Sequence, residues 1–96
     1  MRKDKDIKDR KAVALSYKEE YNAPKVVAKG KGEIADKILE VGKDEKIQVY
    51  EDENLVEDLL KIELNDEIPP ELYDAVSQII IFVYSLDKEK EDAYGK

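Results

Sequence analysis

The chain contains no cysteine, no histidine and no tryptophan. Without cysteine there is no disulfide and no thiolate chemistry. Without histidine it lacks the commonest general base near neutral pH and the commonest metal ligand. Ser16, Ser77 and Ser85 therefore have no imidazole to activate them as nucleophiles. Long hydrophobic runs are missing as well. The longest, Ile79–Tyr84, falls far short of the roughly 20 apolar residues that cross a bilayer. The first eleven residues hold only Met1 and Ile7 as apolar side chains, so no signal peptide is expected and the expected location is cytoplasmic.

What remains is a small, heavily charged chain. Ninety-six residues fit one domain with a modest core. Apolar residues make up 42% and charged residues 43%, enough of the first to fold and enough of the second to solvate the whole surface. The net charge of −7 is unevenly spread. Residues 1–11 carry six Lys/Arg against three Asp, whereas the rest carries 11 basic and 21 acidic residues. An acidic globule is a poor partner for nucleic acid, because phosphate neutralisation needs clustered cations. The basic arm, interrupted by Asp4, Asp6 and Asp9, reads as a solvated terminus.

Hydrophobic periodicity gives a mixed fold. Val13, Leu15 and Tyr17 alternate with Ala12, Ala14 and Ser16, a strand with small residues on one face. Pro24 leads into a second strand, Lys25–Ala28, and Lys29–Gly32 forms a turn. Over Glu33–Glu45, Ile34, Ala35, Ile38, Leu39 and Val41 form an apolar stripe at helical spacing. Ile47–Glu51 reads as a third strand. Asn54, with Glu57 three residues on, suits an N-cap with a capping-box acid. Leu55, Val56, Leu59, Leu60 and Ile62 would be that helix's buried side. Pro69 and Pro70 suit the opening of a last helix, whose first N–H groups need no partner. Along that helix Leu72, Val76, Ile79, Val83 and Leu86 recur at spacings of three and four. The predicted architecture is α/β (α+β): a small mixed sheet of three to four strands with a right-handed βαβ crossover over 25–51, flanked by helices. The domain is predicted over 12–86, between a charged arm at 1–11 and a charged tail at 87–96 whose composition favours disorder. Tyr17, Tyr73 and Tyr84 fall on apolar faces and are expected in the core and at its rim.

Two patterns suggest small-molecule chemistry. Gly30-Lys31-Gly32-Glu33-Ile34-Ala35 fits a dinucleotide-binding turn between a strand and a helix, with Glu51 near the place of a ribose-binding acid. The chain is too short for such a domain with a catalytic partner. Glu33 would also compete with a pyrophosphate for the helix dipole. A tight turn needing positive φ at Gly30 and Gly32 accounts for the same residues. Asp44, Glu45, Glu51, Asp52 and Glu53 cluster locally but lack the alternating ligands and turn glycine of a calcium loop. A solvated face is the simpler reading. No cofactor, no metal and no enzymatic activity are expected.

Three segments carry a family resemblance when taken in order: Ala12-Val13-Ala14-Leu15, then Ala23-Pro24-Lys25-Val26-Val27-Ala28-Lys29-Gly30, then Ile68-Pro69-Pro70-Glu71-Leu72-Tyr73-Asp74-Ala75-Val76. From Ala12 to Leu86 the chain resembles the cytosolic domain of the FlhB/YscU family, export-gate proteins of flagellar and other type III secretion systems. The resemblance implies recruitment of export substrates, rod and hook type first, and contact with cytosolic domains of other export components at the inner-membrane gate. It also implies a small apolar recognition patch at Ala23, Pro24, Ser77 and Ile80, where Ser77 departs from the family's small apolar residue. Plain packing is the competing account of these four, with Ile80 expected in the core.

That family cuts its own backbone at an Asn-Pro-Thr-His loop. The matching stretch here is Ile7-Lys8-Asp9-Arg10, so self-cleavage is expected to be absent. In the family the segment before the loop supplies a further strand. With a charged arm in its place, an uncovered sheet edge is expected. The resemblance thus implies a free-standing, monomeric binding module of type III export without self-cleavage. The alternatives are a competitor or regulator of the full-length gate protein, or a small nucleotide-binding protein using Gly30–Ala35.

Overall fold

A computed structural model describes residues 9–95, with side chains described over 9–85. Strands β1 (Lys11–Ser16) and β2 (Lys25–Lys31) form an antiparallel pair. Helices α1 (Glu33–Asp44), α2 (Glu53–Leu60) and α3 (Tyr73–Gly95) follow, with a 3-10 turn at Pro70–Leu72 leading into α3.

The alternation in β1 sorts the two faces of this hairpin. Ala12 pairs with Gly30 and Ala14 with Ala28, giving a face of small residues. Its floor is so shallow that a Cβ on Gly30 would collide with the Ile34 side chain of α1. Val13 and Leu15 point to the other face, where they pack against the cluster of Ala23, Leu55, Leu59, Ile68 and Val76. Cross-strand partners share a face, so Lys29, opposite Val13, also projects that way. Its ammonium group donates to the carbonyl oxygens of Leu60, at 3.0 Å, and Ile62, at 2.6 Å. The register slips between Ala14 and Leu15, a bulge that leaves Val27 exposed and seats Val26, fully buried, opposite Leu15. The core is therefore built between the large-residue face of the hairpin, α2 and the start of α3.

Local signals set the helix ends. Gly32, at φ 64°, makes the strand-to-helix turn before α1, as the turn reading required. Gly30 needs no positive φ and is instead demanded by the close approach of Ile34. The start of α2 lies one residue before Asn54, and its cap is Asp52, whose carboxylate accepts from the backbone N–H of Asn54 at 3.1 Å and Leu55 at 2.9 Å. Asp52 rather than Asn54 is the cap because the first turn begins at Glu53, and its charge also answers the helix dipole. Glu57 is not a capping-box acid here. It pairs with Lys11 of β1. The two prolines open the last helix as expected, Pro70 beginning the 3-10 turn.

The third strand and its crossover are corrected. Residues 47–52 form no ladder, and the described sheet has two antiparallel strands, with no parallel pair. The cause lies at the end of α1. The N–H of Ile47 bonds to the carbonyl of Gly42 at 2.8 Å and that of Lys46 to Lys43 at 3.1 Å. With Lys46 in the left-handed region at φ 61°, this is a Schellman reversal. It throws the chain away from the hairpin and leaves Ile47 61% and Val49 56% exposed. The one tether of this stretch to α3 among the described ring contacts is Tyr50, edge-on to Phe82 at 6.1 Å between centroids.

Two further expectations shift. Ile34 and Val41 lie at the exposed edge of the α1 stripe, and Ala35 is its buried centre. The backbone of α3 continues to Gly95, taking in most of the segment read as a disordered tail. Its Lys and Glu residues are good helix formers and extend a helix already nucleated by packing at Val76. β1 has no second strand partner among the described residues, whereas the outer edge of β2 is held by the segment 65–68. Val26 N–H bonds to Asp66 at 3.0 Å, and the N–H of Ile68 bonds to the carbonyl of Pro24 at 2.8 Å.

Candidate functional site: an apolar groove between the hairpin loop and the last helix

The four residues singled out as a recognition patch come together around one cleft of about 300 Å³. Its floor is Ala23, Pro24 and Ile68, all buried. The floor is fixed by the Ile68–Pro24 backbone bond and by the lock that Pro24 puts on its own φ. One wall comes from α3. Tyr73, Ser77, Ile80 and Ile81 line the cleft at i, i+4, i+7 and i+8, the spacing that puts residues on one helix face. The other wall is the end of β1 and the loop after it, through Tyr17 and Asn22. The Asn22 N–H donates to Oε2 of Glu67 at 3.2 Å, tying this loop to the segment that carries Ile68.

The lining is apolar with polar atoms at its rim. Ile80 is half-buried, packing against the core cluster on one side and lining the cleft on the other. Ile81 is 64% exposed, on the same helix that buries Val76 completely. Ser77 is exposed on the wall and presents a hydroxyl where the resemblance called for a small apolar group. Tyr17 and Tyr73 are exposed rim residues, as expected for a rim. Tyr84 lies outside the cleft and is 63% exposed rather than in the core. The sequence reading missed Tyr17, Asn22, Ile68, Tyr73 and Ile81 as lining residues. The helical stripe through Ser77 and Ile80 would have found Tyr73 and Ile81. Nothing local marks Ile68, which arrives through its pairing with Pro24.

Of the positions matched to the family's cleavage loop, Asp9 and Arg10 lie at the opposite end of β1, and Ile7 and Lys8 are outside the described residues. Asp9 precedes Arg10, whose guanidinium pairs with Asp36 in the first turn of α1 and whose carbonyl accepts from the Gly32 N–H at 2.9 Å. Among the described residues no group of three or more His, Cys, Asp or Glu is placed to hold a metal ion. Within the acidic stretch Asp52 is spent on capping α2. Gly30 and Gly32 are both accounted for by the packing and turn of α1. Among the described residues, no helix is long and apolar enough to cross a membrane.

The geometry can be set beside known proteins. The chain is 44% identical over 80 residues to the Bacillus subtilis protein YlqH, described as uncharacterized, covering 82% of this chain and 86% of that one. It is 40% identical over 83 residues to the flagellar biosynthetic protein FlhB of Yersinia enterocolitica, covering 84% of this chain but 22% of that protein. The chain thus spans about a fifth of the length of that FlhB relative. The crystal structure of the cytoplasmic domain of FlhB from Shewanella putrefaciens superposes with a TM-score of 0.80 at 30% identity, covering 85% of this chain and 69% of that one. The mixed fold of a small antiparallel sheet flanked by helices is that of this cytoplasmic domain. The model of the FlhB HrpN YscU SpaS family matches residues 10–83, and the chain belongs to that family.

Proposed function

We propose that this protein is a non-enzymatic binding module of flagellar type III export, and that the cleft at Ala23, Pro24, Ser77 and Ile80 takes up segments of export substrates, rod and hook type first. Membership of the family supports a role at the export gate. The observation that carries the finer reading is the convergence of those four residues, 53 or more positions apart in part, on one apolar cleft. A preformed concave apolar surface with a few polar atoms at its rim is the general form of a ligand site. The module acts in the cytoplasm at the face of the gate, with cytosolic domains of other export components as further partners. It remains a single uncut chain, so it cannot change substrate class by self-cleavage. Intact mass spectrometry should give one species of full mass.

Complementation tests the function. The chain is expressed in cells whose export-gate protein has lost its cytosolic part, and hook and filament export are assayed separately. Restored export that Ile80→Asp abolishes is the expected result. A soluble, folded protein that restores nothing, and that binds no purified rod- or hook-type subunit, would overturn the proposal.

A further inference from the structure

The wall of the groove supplied by the chain from residue 62 to residue 86 contains Glu63, Asp66, Glu67, Glu71 and Asp74, and no lysine or arginine lies between Lys61 and Lys88. One of these acids is bonded to a lining residue, and two more lie beside a lining residue in the chain. The Glu67 carboxylate accepts from the N–H of Asn22, a lining residue. Glu71 and Asp74 are exposed and flank Tyr73, and Asp74 is one helical turn from Ser77 on α3. The opposite wall does not balance them. Residues 17–25 hold Lys18 and Lys25 against Glu19 and Glu20. Both lysines lie over the Tyr21 ring, their ammonium groups 5.9 Å and 4.4 Å from its centroid.

We infer that the groove selects extended segments in which an apolar anchor side chain is flanked by lysine or arginine. This rests on the reading of the groove as a substrate site and adds what the substrate must carry. The apolar floor supplies residence time by taking the anchor out of water. The acidic rim sits in solvent, where charge acts mainly on encounter and on rejection of acidic segments. A segment flanked by Glu or Asp would meet Glu67, Glu71 and Asp74 at like charge and be turned away.

The test uses the full chain and overlapping synthetic peptides that tile the secreted subunits of the cognate export system, with binding followed by fluorescence polarisation. Bound peptides should carry Lys or Arg within a few residues of an apolar anchor, and replacing those cations with Glu should weaken binding on the order of tenfold. The paired substitution Glu71→Lys and Asp74→Lys should lower the association rate about three- to tenfold and flatten its salt dependence. Ile80→Asp should instead raise the dissociation rate. Both acids are exposed, so the fold should tolerate the reversal, and Glu71→Gln with Asp74→Asn is the milder control. Bound peptides with no cationic bias, but still sensitive to Ile80→Asp, would overturn the inference and leave the substrate reading standing. No bound peptide, with helicity intact by circular dichroism, would overturn both. So would a dimer in sedimentation that Ile80→Asp dissociates, since the groove would then belong to a second copy.

Discussion

The ammonium group of Lys29, on β2, caps the end of α2 by donating to the carbonyls of Leu60 and Ile62. A cation at a helix C-terminus satisfies carbonyls that have no partner within the helix and answers the negative end of its dipole. Lys29 links the hairpin to the end of α2, as the Lys11–Glu57 pair links it to the middle of the helix. Charge-assisted hydrogen bonds contribute roughly 1.5–3 kcal/mol each way when fully sheltered, and the site is only partly so. Lys29→Met, which keeps the aliphatic stem, should cost about 1–2 kcal/mol and lower Tm by roughly 4–8 °C for each kcal/mol in a domain of this size. Thermal unfolding by circular dichroism measures it. An unchanged Tm would show that water replaces the ammonium group without loss.

Lys46 ends α1 in the left-handed conformation that glycine adopts without penalty. A non-glycine residue there is strained by roughly 1–2 kcal/mol, partly offset by the smaller entropy it loses on folding. Lys46→Gly should therefore stabilise the protein, by about 0.5–1 kcal/mol. Urea unfolding should show a higher midpoint with an unchanged slope. A lower midpoint would mean that the Lys46 side chain contributes more than its backbone costs.

The Lys11–Glu57 pair ties the start of β1 to α2. Its hydrogen bond, followed by the Coulomb attraction, holds the Lys11 ammonium above its ordinary pKa and the Glu57 carboxyl below its own. For Lys11, raised on folding, the stabilisation is complete below the ordinary lysine value of about 10.4 and is lost as pH rises through the folded value. For Glu57, lowered on folding, it is complete above the ordinary value of about 4.3 and is lost as pH falls through the folded value. The Tm difference between the wild type and Glu57→Gln should be small, flat across neutral pH, and close at both the acid and alkaline ends. Since both groups are exposed, added salt should shrink it. A difference that persists at pH 2 would point to lost packing rather than lost charge.

Much of this was legible along the chain because it depends on neighbours in sequence. The alternation of β1 fixed its two faces. The spacing of Val76 and Ile79 fixed the buried side of α3, and the prolines at 69 and 70 fixed where that helix begins. The glycine turn before α1 was likewise readable, since a short strand-to-helix connection restricts which backbone angles are available. The identity of the cap at α2 was harder, because Asp52 and Asn54 are both good caps and only the position of the first turn decides between them.

Tertiary structure decided the rest. Ile47 and Val49 alternate like a strand, but a strand needs a free edge beside it, and the reversal at Lys46 points the segment away from one. The groove depends on contacts between distant segments. Pro24 and Ile68 share a backbone hydrogen bond, and Ser77 and Ile80 reach the same cleft from α3. Residue types can nominate such positions one at a time. Whether they face one another depends on how the hairpin and α3 pack, and that is settled by the burial of Ala23, Ile68 and Val76 in a single core.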